Sequence, residues 1–190
     1  MIGNIGYIII GRVFALEKSI DKGKVACFSG YRPHKFDFKL VGDEYKKFTT
    51  QLYNEIVKAI EGGFTVFIVG CAPGMDIISA ELVIVAKEQY PDKEIKLICA
   101  LPYSDFKNSK HFNPHWQKRY DNVMAHCDET VNVTNNHNWS KRCYSQRNEY
   151  MIDNSSLLIC YSTGKAGGTE TTIRYAVYKG ITIVNIATKI

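Results

Sequence analysis

The stretch that decides the fold is residues 147–179, RNEYMIDNSSLLICYSTGKAGGTETTIRYAVYK. An apolar strand is predicted at 156–161, a glycine-rich loop follows at 162–168, and a helix begins at Thr169. Glycines let an anion approach the backbone, and the free N–H groups and positive dipole end of a helix N-terminus attract it. The stretch therefore predicts a strand–loop–helix unit that binds phosphate. The alternative is a glycine-rich turn that is needed only for packing.

The same alternation of strands and helices extends outward from this stretch. Six short apolar segments predict strands at residues 24–29, 64–69, 95–100, 129–133, 156–161 and 181–186. Helices are predicted between them at 42–61, 77–90, 114–127, about 141–154 and 169–178. This alternation predicts an α/β fold: a Rossmann-like, three-layer, open and mostly parallel sheet with helices on both faces.

Length and composition indicate one globular domain. The chain has 190 residues, of which 45% are apolar and 23% are charged. We assign residues 24–190 to a single domain and residues 1–23 to an N-terminal extension. The net charge of +5 suits an anionic ligand but is too small to indicate nucleic-acid binding by itself. No segment approaches the roughly 18 apolar residues of a membrane span, so we expect no membrane partner.

The six cysteines and five histidines show no metal-binding spacing. No two cysteines form a C-x-x-C pair, and Cys27, Cys99 and Cys160 lie in or at the end of predicted strands. We therefore expect buried, reduced thiols, a cytoplasmic location, no metal and no cofactor. The short apolar run near the N-terminus is interrupted by Arg12 and lacks the features of a signal peptide.

Candidate ligand-binding residues lie in the loops that follow the predicted strands. In a parallel sheet these loops meet at one edge, which is where ligands bind in open α/β folds. After the first strand, Gly30 permits close approach of a ligand, and Arg32 offers a guanidinium that suits phosphate or carboxylate. A surface arginine in an ordinary turn is the alternative interpretation.

The loop after the second strand supplies two glycines and two carboxylates. Gly70 and Gly74 give the backbone conformational freedom because they lack a Cβ. Asp76 lies at the start of the next helix, and Glu81 lies in its second turn. A carboxylate beside a nucleotide-binding loop commonly accepts hydrogen bonds from ribose hydroxyls. The alternatives are that Asp76 is a plain helix N-cap and that Glu81 is a solvated helix position. The loop is neither a dinucleotide-binding fingerprint nor a P-loop.

The glycine-rich loop after the fifth strand has the strongest signal. Gly167, Gly168 and Thr169 lead into the next helix and are placed to hold a phosphate, and Lys165 adds positive charge. Arg147 lies on the preceding helix and is expected at the same edge. These residues complete the predicted ligand-binding set, in which no catalytic group is assigned.

A long loop at residues 101–120 combines basic residues, histidines and aromatics. Three interpretations stay open. The loop is a lid that stacks on a base, an aromatic and basic patch for single-stranded nucleic acid, or a structural loop that buries Trp116.

Four motifs in order, SGYRP, GCAPGMDIISAE, QRNEYMIDNSSLLICY and GGTETTIRYA, resemble the YpsA-like branch of the SLOG superfamily. The resemblance covers about residues 25–186, and the superfamily also includes the LOG phosphoribohydrolases and the DprA DNA-processing proteins. It implies a Rossmann-like fold that binds nucleotides or nucleotide-derived ligands, with ADP-ribose-type signals among them. It also implies a homo-oligomer, because dimers are common among LOG relatives.

The resemblance to the LOG enzymes breaks at the position of their catalytic acid. Those enzymes have an Arg-Lys pair before the strand and a Pro-Gly-Gly-x-Gly-Thr-x-x-Glu loop after it. Here Arg147 matches the arginine, Asn148 replaces the lysine, and the glutamate position falls at Thr172. Glu170 lies two residues earlier, about 200° round the helix. These departures argue against LOG-type hydrolysis.

We therefore expect a protein that senses or sequesters a nucleotide-derived small molecule, such as an ADP-ribose-type ligand. One alternative is a LOG-type nucleotide N-glycosidic hydrolase, in which another acid such as Asp76, Glu81 or Glu170 would have to serve. The other alternative is a DprA-like single-stranded DNA binder.

Overall fold

Six parallel strands form one sheet in the computed structural model, which describes residues 21–140 and 142–189. In chain order the strands are β1 (Val25–Ser29), β2 (Val66–Val69), β3 (Lys96–Leu101), β4 (Glu129–Asn132), β5 (Leu157–Cys160) and β6 (Thr182–Asn185). Their order across the sheet is β4-β3-β2-β1-β5-β6. After β1, the strands β2, β3 and β4 are added in turn on one side of it, and β5 and β6 are then added on its other side. A topological switch point therefore lies between β1 and β5.

Helices cover both faces of the sheet. Within the described ranges they are α1 (Gly42–Glu61), α2 (Met75–Gln89), α3 (Pro114–His126), α4 (Cys143–Asp153) and α5 (Gly168–Tyr178). Successive strand residues point to opposite faces. Phe28 and Phe67 pack with α1, α2 and α3 on one face, and Cys27 and Ile68 pack with α4 and α5 on the other. The predicted three-layer, Rossmann-like α/β fold is confirmed.

Local sequence patterns explain why these elements form. In α1, Phe48, Leu52 and Ile56 recur every four residues and are fully buried on one helix face. Strands β1, β2 and β5 are buried along their whole length, as expected for central strands that are covered on both faces. Every predicted strand and helix is present, and some ends are shifted by one or two residues.

The described residues also bear on the expectations for the N-terminal extension, the cysteines, membrane spans and metal sites. The predicted N-terminal extension, residues 1–23, lies outside them except at its end, where Lys22–Lys24 forms a 3-10 turn. All six cysteines are free and five of them are buried, which agrees with the predicted reduced thiols. None of the described helices is long and apolar enough to cross a membrane. Residues 21–140 and 142–189 also contain no group of three or more metal-ligating side chains that could hold an ion.

The start of α2 differs from the prediction. The N-cap is Gly74, with a φ of +98°, and not Asp76. The helix begins earlier because the N–H of Met75 donates to the carbonyl of Tyr31, 3.1 Å away, which fixes the first helical residue against the loop after β1. Asp76 therefore lies in the first turn of α2, where its carboxylate is free for contacts other than capping.

Candidate functional site

A pocket of about 250 Å³ opens at the carboxyl ends of β1 and β2, beside the N-terminus of α5. It lies at the switch point between β1 and β5, where open α/β sheets bind ligands. Six residues of the predicted ligand-binding set line it: Gly30, Arg32, Asp76, Arg147, Gly168 and Thr169. The fold thus brings together residues from widely separated parts of the chain.

A buried ion pair lies against this pocket. Nη1 of Arg147, from α4, donates to Oδ2 of Asp76, from α2, at 3.2 Å, and the two side chains are only 6% and 11% exposed. The same carboxylate oxygen accepts the N–H of Ala72 at 3.3 Å. Removing one partner would leave an uncompensated buried charge, so each side chain holds the other in place. Nε of Arg147 is buried and has no hydrogen-bond partner among the described residues.

Two predicted glycines leave space that a side chain would fill: Gly70 leaves it for this pair, and Gly74 leaves it for the backbone of the loop after β1. A Cβ at Gly70 would lie 1.5 Å from Nη1 of Arg147 and 2.6 Å from Oδ2 of Asp76. A Cβ at Gly74 would lie 2.3 Å from the carbonyl oxygen of Tyr31. Neither glycine lines the pocket itself, so their contribution is steric and indirect.

Arg32 provides a second guanidinium in the pocket. Its Nη1 is buried without a hydrogen-bond partner in the part of the chain that the structure describes, and its Cζ lies 6.0 Å from the ring centre of Tyr144. Burial is the main cause that lowers the pKa of Arg32; Asp76 acts in the opposite direction, and Arg147 lowers it further. An anion in the pocket would relieve both the desolvation and the repulsion between the two arginines.

The N-terminus of α5 forms another side of the pocket. Gly167 is its N-cap, and Gly168 and Thr169 are its first two residues. The Oγ1 of Thr169 donates to the carbonyl of Gly30 at 3.0 Å, which ties α5 to the loop after β1. The first N–H groups of a helix have no partner within the helix and carry the positive end of its dipole. This arrangement is suited to an anionic group.

The glycine-rich loop before α5 is held by Tyr31. The phenol oxygen accepts the N–H of Thr163 at 2.8 Å and the N–H of Lys165 at 3.1 Å. Burial raises the pKa of Tyr31, but hydrogen bonds to Ser162, Thr163 and Lys165 outweigh it, so that the pKa lies below its usual value. The loop is therefore shaped by a side chain from the opposite side of the switch point.

Glu81 is not brought into the pocket, contrary to the expectation from the sequence. Its carboxylate accepts two hydrogen bonds from Arg119, at 2.8 Å from Nε and 2.5 Å from Nη2. The same guanidinium lies 4.3 Å from the ring centre of Trp116. A bidentate pair that is also stacked on an aromatic ring joins α2 to α3, so the position of Glu81 is explained by packing.

The segment predicted as a long loop at residues 101–120, whose last part is the start of α3, does not present an aromatic surface. Tyr103, Phe106, Trp116 and Tyr120 are all buried, which favours the structural interpretation over a stacking patch. His111 is the part of the loop that lines the pocket. Burial is the main cause that lowers the pKa of His111, and the nearby charges of Arg32, Lys110 and His34 lower it further.

The two positions that distinguish the chain from LOG enzymes contact each other. Nδ2 of Asn148 donates to Oγ1 of Thr172 at 2.9 Å, and that hydroxyl donates to the carbonyl of Gly168 at 2.9 Å. Asn148 also lines the pocket. The pair therefore braces α4 against the first turn of α5. Glu170 is engaged elsewhere, because it accepts a hydrogen bond from Ser162.

Eight lining residues are absent from the predicted ligand-binding set: Phe28, Ser29, Lys35, Ala72, Pro73, His111, Tyr144 and Asn148. Lys35 lies three residues after Arg32 in the same loop, and Tyr144 lies one helical turn before Arg147. Spacings of three and four residues place side chains on one face of a helix, and this signal would have found Tyr144. Nothing in the local pattern separates Lys35 from the other lysines of the chain.

Comparison with known proteins bears on the family and the fold of the chain. The family model of the YspA SLOG family (YpsA) matches residues 26–181. The UPF0398 protein YpsA of Bacillus subtilis (strain 168) is 25% identical over 149 residues, which are 77% of this chain and 81% of that protein. A UPF0398 protein of Bacillus pumilus is 24% identical over 155 residues, 80% of this chain and 81% of that protein.

A solved structure with a similar fold is DNA processing protein A from Helicobacter pylori, described for its single-stranded DNA binding mode. The TM-score is 0.55 at 19% sequence identity. The match covers 86% of this chain and 65% of the H. pylori chain, so this chain spans only part of that protein. At this identity the likeness concerns the fold.

Proposed function

Because the chain belongs to the YspA SLOG family, we propose that it binds a nucleotide-derived small molecule, such as an ADP-ribose-type ligand, in the pocket at the switch point. The observation that carries the proposal is a charge imbalance. Three cationic side chains, Arg32, Lys35 and Arg147, line the pocket beside the positive end of α5. Among the described lining residues Asp76 is the single carboxylate, and it is paired with Arg147. An anionic ligand would neutralise the remaining positive charge.

The contacts suggest a role for each part of the site. The backbone at Gly167, Gly168 and Thr169 would hold a phosphate, and Arg32 and Arg147 would supply charge-assisted donors. The carboxylate of Asp76 would accept a ribose hydroxyl, as acidic residues do beside nucleotide loops. Gly70 would act indirectly by leaving room for the ion pair, and Gly74 by letting the backbone at Tyr31 and Arg32 approach the start of α2. Glu81 has no place in this scheme because it is paired with Arg119.

Substituting Gly168 tests the phosphate position directly. A Cβ at this residue would meet no atom within 4 Å, so a side chain fits without displacing the described structure. We expect Gly168→Asp to weaken binding about tenfold or more, because a carboxylate would lie where the phosphate binds. The near-isosteric Gly168→Asn, which adds no charge, should lose much less. Isothermal titration measures the affinities of the wild-type protein and of both variants for ADP-ribose, NAD and AMP.

The titration has two informative negative results. Failure of every nucleotide to bind the wild-type protein more tightly than about 1 mM would remove the proposal. Equal losses for Asp and Asn would show that the side chain acts by size and not by repelling a phosphate. The proposal also includes a cytoplasmic, homo-oligomeric protein that senses or sequesters its ligand.

Single-stranded DNA is the second candidate ligand, and a basic cluster at the pocket favours it. His34, Lys110 and Arg32 all lie near enough to His111 to affect its pKa. A strand of phosphates could follow this cluster out of the pocket, and the fold is similar to that of an H. pylori protein described for such binding. Oligonucleotide binding would then weaken steeply between about 50 and about 200 mM salt. If an oligonucleotide binds no more tightly than AMP does, single-stranded DNA is excluded as the ligand.

LOG-type hydrolysis is the less favoured alternative. It needs a carboxyl group that is free to donate or accept a proton at the glycosidic bond. Asp76 is held by Arg147, Glu170 by Ser162, and Thr172 occupies the position of the LOG acid. Chromatography after incubation with nucleoside monophosphates would reveal any free base, and its appearance would favour an enzyme over a binding protein.

A further inference from the structure

Lys35 occupies a position at the pocket that its own contacts do not explain. It ends the 3-10 turn Pro33–Lys35, lines the pocket and is half-buried. Its Nζ donates to the carbonyl of Ala166 at 3.1 Å and lies 2.6 Å from where a Cβ of Gly167 would be. The ammonium group therefore lies directly at the entrance to α5.

That position is electrostatically unfavourable without an anion. The N-terminus of a helix carries the positive end of its dipole, so a cation there is repelled. Lys35 takes part in none of the ion pairs formed by the described residues, and its hydrogen-bond acceptor is a neutral carbonyl. The nearby carboxylate of Asp37 pairs instead with Lys165. Lys35 thus adds positive charge to a place that already attracts anions.

The backbone of the Lys35 turn is held separately from its side chain. Nζ of Lys165 donates to the carbonyl of Lys35 at 3.2 Å and also forms the ion pair with Asp37. The glycine-rich loop and the turn after β1 therefore bond to each other in both directions. Because Lys165 fixes the turn, the Lys35 side chain can exchange its acceptor without moving the backbone.

We propose that Lys35 is a ligand-binding residue whose ammonium moves from the carbonyl of Ala166 to the anionic group of the ligand, and that Lys165 is a positioning residue for the turn. The inference rests on the proposed function, since it concerns the same pocket. It adds a specific cation that contacts the group bound at the entrance to α5. The ammonium group forms a stronger hydrogen bond with a charged acceptor than with a neutral carbonyl, so Lys35 moves from Ala166 to the ligand when the ligand binds.

Lys35→Met tests the inference, with Lys39→Met as the matched control on an exposed lysine of the same loop. Isothermal titration with ADP-ribose and with inorganic pyrophosphate should give a loss of about tenfold or more for Lys35→Met and less than about twofold for Lys39→Met. Lys35→Arg, which keeps the charge, should retain most of the affinity. The salt dependence of binding should become less steep in Lys35→Met alone, because one cation contact is lost.

Thermal melting of the free proteins separates binding from a structural role. Lys35→Met should melt within about 2 °C of wild type, because the lost bond is a single partly exposed one. A much lower melting temperature, or an affinity equal to that of wild type, would overturn the inference. Failure of the wild-type protein to bind either probe is a different result, which removes the proposed function itself.

Discussion

Among single residues, the glycines of the site do three different things. Gly70 leaves room for the guanidinium of Arg147, Gly74 takes a φ of +98° at the start of α2, and Gly168 has open space around its Cα. The first two are fixed by sterics, and the third is available for contact with a ligand. A sequence marks all three as flexible and cannot assign these roles, because each depends on what packs against the residue.

Gly70→Ala is expected to disrupt the Arg147–Asp76 pair. The new methyl group would overlap Nη1 of Arg147, which is buried and cannot move aside without leaving Asp76 unpaired. We expect the free energy of unfolding to fall by about 2–4 kcal/mol. Chemical denaturation measures the change, and Gly168→Ala, made at a position with open space, should change stability by less than about 1 kcal/mol. Equal stability of the two variants would contradict the steric role of Gly70.

Among the elements, the glycine-rich loop has its shape imposed from outside. Tyr31 follows β1, and its buried hydroxyl accepts two backbone N–H groups of the loop after β5. Thr169 bonds back to the carbonyl of Gly30. The two loops that flank the switch point therefore form one unit. The two loops contain four glycines, Gly30, Gly164, Gly167 and Gly168, and the flexibility that these would give to an isolated segment is removed by contacts across the sheet edge.

Tyr31→Phe should loosen this unit without unfolding the protein. The N–H groups of Thr163 and Lys165 lose their acceptor, which costs about 1–2 kcal/mol because water can partly replace it. Hydrogen exchange at residues 163–165 should accelerate, and anion affinity should fall several-fold as α5 is presented less rigidly. Tyr53→Phe is the control, since that hydroxyl contacts Gln89 on the surface of α1 and α2. Unchanged exchange in Tyr31→Phe would show that the phenol does not order the loop.

For the whole molecule, the parallel sheet explains both the site and the state of the cysteines. All-parallel strands bury their central residues between two helix layers, and the segments that follow the paired strands β1 and β5 lead to helices on opposite faces of the sheet and leave the pocket between them. The same burial raises the pKa of Cys27 and of Cys160, each to about 12. Cys127 is half-buried, and its hydrogen bond with Cys99, followed by burial, raises its pKa as well.

These thiols should be unreactive in the native protein. At pH 8 a thiol reagent such as Ellman's reagent is expected to label essentially none of the cysteines within minutes and all six in denaturant. Folding raises the pKa of Cys27 and of Cys160 above the ordinary value of 9.0. The neutral thiols therefore contribute to the free energy of unfolding below pH 9.0, and this contribution is lost as the pH rises toward about 12. Rapid labelling at pH 8 would contradict the burial of the strands.

The sequence by itself determined the layout of this protein. Apolar runs and helical spacing are local patterns, so they predicted every strand and helix, the parallel alternation and the glycine-rich entrance to α5. The motifs also identified the family. Tertiary structure alone decided which charged groups meet in the pocket. Glu81 is neutralised by Arg119, 38 residues away, and Lys35 reaches Ala166, 131 residues away. The pairing of a charged side chain depends on neighbours that only folding brings together, and no local pattern encodes them.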